Sequence, residues 1–128
     1  MKKLLVLLVL GFAAQASAQT CPTPGTRRLV PLAYEEKTAS TSSQTLTVGT
    51  HEAGADSSGW GRAALNTVET DSIRWRVSGT PTSASGHLMA AGQAYLLCSH
   101  EAIVAFKFIR AASASADAKL FITYFKLQ

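Results

Sequence analysis

Two His-Glu pairs are the residues in this sequence that come closest to a catalytic metal site. His51-Glu52 and His100-Glu101 each begin like H-E-x-x-H, the zinc-protease motif in which two histidines on one helix face bind the metal. Alanine at position 55 and valine at position 104 stand where the second histidine is required. Neither pair therefore completes the motif.

Other arrangements that carry chemistry are also incomplete. Cys98-Ser99-His100 offers two metal ligands, but a structural zinc site needs four and the sequence shows no second cluster. Glu35 and Glu36 are adjacent in a predicted strand, so they point to opposite faces and do not form an acid pair. The sequence contains no G-x-S-x-G elbow and no phosphate-binding Walker loop. We therefore expect no catalytic residues, no metal site and no cofactor, in a protein that is not an enzyme.

Residues 1–18 have the features of a cleavable secretory signal. Lysines at positions 2 and 3 precede Leu4–Ala14, a run of about eleven mostly apolar residues, and Ala16-Ser17-Ala18 provides an A-x-A cleavage site. The run is shorter than the roughly 20 residues of a membrane helix. Lipoprotein anchoring at Cys21 is disfavoured because glutamine and threonine precede it, where small residues are required. We predict a periplasmic or extracellular protein with no stable membrane span after cleavage.

The remaining residues, 19–128, are enough for one domain. Without the two signal lysines, ten basic residues face eight acidic ones, a net charge of +2 that is too balanced for a nucleic-acid partner. Export permits disulfides, and the only cysteines, Cys21 and Cys98, are predicted to pair. Two free thiols, or a bridge to another chain, remain alternatives.

The apolar pattern of residues 19–128 predicts an all-β domain. Ile73–Val77 alternates between apolar and charged residues. This alternation places Ile73, Trp75 and Val77 in the core and the two arginines between them on the solvent face. Leu120–Phe125 suits a central, buried strand, and Pro31 favours an edge or a bulge in the strand over Arg28–Glu35. Seven or eight short antiparallel strands indicate a β-sandwich or jelly roll. Besides a signal helix we expect at most one helical turn, capped by Ser99.

Three residues are candidates for contact with a partner. The irregular stretch from Gly49 to Gly61 is the longest in the chain, and loops of this length are often functional. Trp60 ends this loop and His51 lies within it, while Tyr34 alternates out of the first strand. An alternative for Trp60 is that it closes one end of the sandwich.

The sequence from Val68 to Tyr124 carries a series of turn and core motifs. An I-R-W-R strand enters an S-G-T-P-T turn, and G-H-L-M, A-G, F-K-F-I-R and L-F-I-T-Y follow in order. This series resembles small β-sandwich proteins encoded among the structural genes of tailed bacteriophages. The turn has Ser78 where that pattern has Asp and is one residue shorter. The signal peptide and the cysteine pair are further departures from it.

The resemblance implies a non-catalytic structural or attachment protein, similar to virion decoration or tail-accessory components, and the signal peptide implies that it is exported. Its partners would be copies of itself or a particle surface, contacted through a flat sheet face or an edge strand. Two alternatives stay open. The first is a secreted glycan-binding module that uses exposed aromatic rings. The second is a prophage-encoded periplasmic inhibitor or exclusion factor that presents the loop from Gly49 to Gly61.

Overall fold

The computed structural model describes residues 21–23, 25–52 and 61–128, which form eight β-strands and two short α-helices. The strands are β1 (Leu29–Ala39), β2 (Gln44–Thr45), β3 (Ala63–Thr70), β4 (Ser72–Arg76), β5 (His87–Ala90), β6 (Ala94–Leu97), β7 (Lys107–Arg110) and β8 (Ala118–Leu127). Helix α1 (Val48–His51) follows β2, and α2 (His100–Ala105) follows β6. The predicted all-β class is confirmed.

The strands form two four-stranded antiparallel sheets. The first sheet has the order β1-β8-β3-β6 and the second has the order β2-β7-β4-β5. Apolar side chains from both sheets form a single core, as predicted for a sandwich. Its larger members are Val68, Ile73, Trp75, Met89, Leu97, Phe106, Phe108, Leu120, Ile122 and Tyr124.

The strands that the sequence predicts most strongly take the predicted places. β8 lies between β1 and β3, and every second side chain from Ala118 to Tyr124 is buried in the core. β1 is an edge strand, and its register shifts between Pro31 and Ala33, where proline lacks the N–H for a regular ladder. Trp75 is 6% exposed, as expected, but Val77 is 40% exposed because β4 ends before it.

The helix content is greater than predicted, since the described residues contain two short helices rather than one turn. Ser99 caps α2 as expected, with its hydroxyl accepting a hydrogen bond from Ala102 N at 3.1 Å. Helix α1 was not predicted. β2 ends after two residues, and the Thr47 N–H then donates to the Glu35 carboxylate at 3.0 Å. Helix α1 begins at the next residue.

The turn between β3 and β4 is joined to the loop before β8 by one carboxylate. Asp71 has a left-handed backbone with φ of 62°, which Asp and Asn tolerate better than most residues. Its Oδ2 accepts hydrogen bonds from Ala116 N at 2.9 Å and from the N–H and hydroxyl of Ser115 at 3.1 and 3.0 Å. The hydrogen bond from Ala116, followed by those from Ser115, lowers the pKa of Asp71 below its ordinary value of 3.8.

Asp71→Asn should therefore destabilise the fold in a pH-dependent way. A carboxyl whose pKa is lowered by folding contributes stability that is present above its unfolded pKa and is lost as the pH falls through its folded pKa. Thermal unfolding of both proteins, from neutral pH to about pH 2, should show a gap in Tm that is largest near neutrality and closes below pH 3.8. A gap that is the same at every pH would contradict this account of the turn.

Candidate functional site

The first sheet presents an apolar surface on the side that faces away from the core. The buried positions of β8 alternate with Phe121 and Thr123, which therefore point outward. Paired residues of neighbouring strands share a face, so Tyr34 and Leu65, both opposite Thr123, also point outward, as does Leu96, opposite Leu65. We call Tyr34, Leu65, Leu96 and Phe121 the outer apolar face.

The outer apolar face is partly exposed to solvent. Tyr34 is 72% exposed and Leu65 is 36% exposed, while the other two side chains are half-buried. The rings of Tyr34 and Phe121 stack with centroids 5.7 Å apart and planes 15° apart. In an antiparallel sandwich the outward positions are normally polar, so these apolar side chains depart from the usual pattern.

The charges on the two sheets differ in a way that affects association. Beside the outer apolar face, Lys119 Nζ lies 3.4 Å from Glu36 Oε1, so the charges at its edge cancel. The outward side of the second sheet carries Arg74, Arg76 and Lys107. Arg76 on β4 is paired with Lys107 on β7, and Arg74 lies two positions before Arg76, so it points the same way. None of these three takes part in an ion pair within the part of the chain that the structure describes.

A groove of about 810 Å³ lies where the edge strands β5 and β6 line the open side of the sandwich. The indole of Trp75 lies at its base, with ring centroids 4.7 Å from His87 and 4.3 Å from Tyr95. Leu65 and Leu96 line this groove as well, so it is continuous with the outer apolar face.

Of the two predicted contact residues that the structure describes, Tyr34 lies on this surface and His51 does not. Tyr34 is the most exposed member of the outer apolar face, so its candidacy remains. His51 is 1% exposed, which excludes the contact with a macromolecule that its loop position suggested, because α1 turns the imidazole into the domain. It lies 5.6 Å from the Tyr124 ring, between centroids. Trp60 lies outside the described residues.

The predicted disulfide between Cys21 and Cys98 is confirmed, with Cα atoms 5.1 Å apart. It joins the N-terminal lead-in to the residue that follows β6. Among the described residues, no helix has the length and apolar character needed to cross a membrane.

Sequence reasoning missed Leu65, Leu96 and Phe121. A usable signal was present in β8, where apolar residues occupy both alternating sets of positions. From the sequence, this pattern predicts burial in a central strand. It also means that the outward side of the sheet is apolar.

Comparison with models of protein families, with curated proteins and with solved structures gave no match for this chain. The surfaces described above and the resemblance of the sequence motifs are the observations that bear on function.

Proposed function

We propose that this protein is an exported, non-catalytic structural protein that assembles with copies of itself through the outer apolar face. The observation that carries the proposal is the exposure of Tyr34 and Leu65 on the outward side of a sheet whose other side already packs the core. The resemblance of the motifs between Val68 and Tyr124 to phage decoration and tail-accessory proteins supports the same kind of role. The signal-like N-terminus and the disulfide support a periplasmic or extracellular location.

Charge favours a second copy of this chain as the partner of the outer apolar face. Two copies related by a two-fold axis would bring together surfaces on which Glu36 and Lys119 cancel, so like charges do not oppose the contact. Sheets packed face to face in this way lie about 10 Å apart. The second sheet is disfavoured as a self-contact because its arginines and lysine would repel their own copies.

A glycan-binding module is the second candidate, because the groove gathers the rings of Trp75, His87 and Tyr95. Aromatic rings bind sugars through exposed faces, yet Trp75 is 6% exposed and is covered by the two other rings. The groove therefore supports this function less well than the sheet face supports assembly. A third candidate, an inhibitor acting through the loop from Gly49 to Gly61, depends on residues 53–60, which lie outside the described part.

Leu65→Lys tests the assembly proposal. A lysine here can extend its stem along the sheet and keep the chain folded, but it would place an unpaired charge inside the contact between copies. We expect the dissociation constant for self-association to rise by roughly a hundredfold or more. Light scattering on a sizing column at several concentrations, with circular dichroism to check folding, gives the measurement.

Val77→Lys is the matched control, since Val77 is also an apolar residue of similar exposure, 40%, but follows β4 in the second sheet. It should associate like the unmodified protein. If the unmodified protein is monomeric at all concentrations, or if both variants associate equally, assembly through the outer apolar face is wrong.

A further inference from the structure

Neither His-Glu pair completes a metal motif by itself, but the fold brings His51 and Glu52 close to His100. His51 is the last residue of α1, Glu52 follows it, and His100 is the first residue of α2. One ligand atom from each lies within 4.8 Å of the others, and the two imidazole centroids are 5.6 Å apart. The fold therefore gathers two imidazoles that are 49 positions apart in the sequence, together with the carboxylate that follows the first of them.

The hydrogen bonds of His100 orient it as metal-binding histidines are oriented. Its Nδ1 lies 3.2 Å from the Gly61 carbonyl oxygen, which only accepts, so Nδ1 carries a proton. Its Nε2 lies 3.0 Å from Glu52 Oε1. The two atoms therefore face each other, in positions from which both can bind one cation. Metal-binding histidines typically donate the other ring N–H to a carbonyl, which fixes the direction of the ligating nitrogen.

His51 supplies an independent observation. It is 1% exposed, and its Nδ1 is buried without a hydrogen-bond partner among the described residues. Leaving a polar atom buried and unsatisfied is costly, so such atoms usually have a function or a ligand. Gly61 packs closely against His51, since a Cβ on residue 61 would lie 3.3 Å from the His51 carbonyl oxygen.

Glu35 is near this cluster but is already engaged. It accepts hydrogen bonds from the Tyr124 hydroxyl and from Thr47 N, and its other oxygen lies 3.8 Å from Lys37 Nζ. Burial, followed by Glu35 itself, raises the pKa of Tyr124, so the phenol stays protonated and continues to donate. Among the described residues, Glu52 is the carboxylate that belongs to this cluster.

We propose that His51, Glu52 and His100 bind a divalent transition-metal ion, with zinc the best match to two imidazoles and one carboxylate. Zinc bond lengths of 2.0–2.2 Å place tetrahedral ligand atoms about 3.3–3.6 Å apart. His100 and Glu52 lie 3.0 Å apart, and all three ligand atoms lie within 4.8 Å of one another, so a small inward shift would complete the site. Water completes the four-coordinate shell. The ion would connect α1 to α2, beside the disulfide at Cys98, and so fix the end of the sandwich where these helices lie.

Zinc binding to the untagged, metal-stripped and oxidised protein, measured by calorimetry, tests this proposal. We expect one ion per chain, a higher Tm when zinc is present, and visible d–d absorption of tetrahedral intensity when cobalt(II) replaces zinc. Glu52→Gln keeps the shape of the side chain and should weaken binding at least tenfold. His100→Ala should abolish it.

His87→Ala is the matched control, because His87 is exposed on β5 and lies outside the cluster. Its zinc affinity should equal that of the unmodified protein. Absence of zinc binding by the folded, unmodified protein would overturn the proposal, as would equal affinity in His100→Ala or equal loss in His87→Ala. If His100→Ala fails to fold, Glu52→Gln and the cobalt spectrum still decide.

Discussion

A protein in which Cys21 and Cys98 are both replaced by serine should lose about 4 kcal/mol of its free energy of unfolding. The disulfide spans 77 positions, so it removes a large share of the conformational entropy of the unfolded chain. It also holds the lead-in against the end of β6, where Cys21 Sγ lies 3.7 Å from the Leu97 carbonyl oxygen. Few other pairs of residues in so small a domain should contribute as much.

Urea unfolding at 25 °C, followed by tryptophan fluorescence, would measure this loss. The unmodified protein in the presence of a reductant is the control, and it should unfold like the serine variant because both lack the covalent link. A loss of less than about 1 kcal/mol would mean that the lead-in remains ordered in the unfolded chain or contributes little to the folded one.

Phe108→Ala should lower the free energy of unfolding by about 3–5 kcal/mol, which is the range for removing a large buried aromatic side chain. Phe108 is 0% exposed at the centre of β7, and its ring centroid lies 5.9 Å from that of Phe106. Phe106 in turn lies against Trp75, with centroids 5.5 Å apart. The cavity would therefore open among rings from the second sheet and from the end of α2.

Phe121→Ala is the matched substitution on the other side of the first sheet. Phe121 belongs to the outer apolar face and is half-buried, so the isolated chain should lose less than half as much stability as it does in Phe108→Ala. Unfolding is best measured at concentrations low enough to separate the copies. Equal losses in the two variants would show that the outward side is packed within the chain, which would remove the basis for assembly.

Local sequence signals predicted those parts of the fold that depend on neighbouring residues. Pro31 predicted the irregular edge strand because it lacks an N–H. Ser99 predicted the start of α2 because its hydroxyl accepts a hydrogen bond from the Ala102 N–H in the first turn. The alternation in Ile73–Arg76 fixed which side of β4 is buried. Helix α1 is only four residues long and has no side-chain cap, so the sequence carries no local signal for it.

The candidate sites were also beyond local signals. The H-E-x-x-H motif requires both histidines on one helix, whereas the fold supplies His51 and His100 from two helices. The outer apolar face combines one residue from each strand of the first sheet, so no segment of the sequence contains it. Only the pairing of Leu65 with Leu96 and with Thr123 brings these residues to one surface.

The most direct test of assembly through the outer apolar face is an isotope-filtered nuclear Overhauser measurement. Mixing ¹³C-labelled with unlabelled protein restricts the signals to contacts between copies. We expect transfer from the Leu65 and Leu96 methyl groups of one copy to the Tyr34 and Phe121 rings of another. Contacts confined to the second sheet, or no contact between copies at concentrations where the protein is folded, would contradict the proposal.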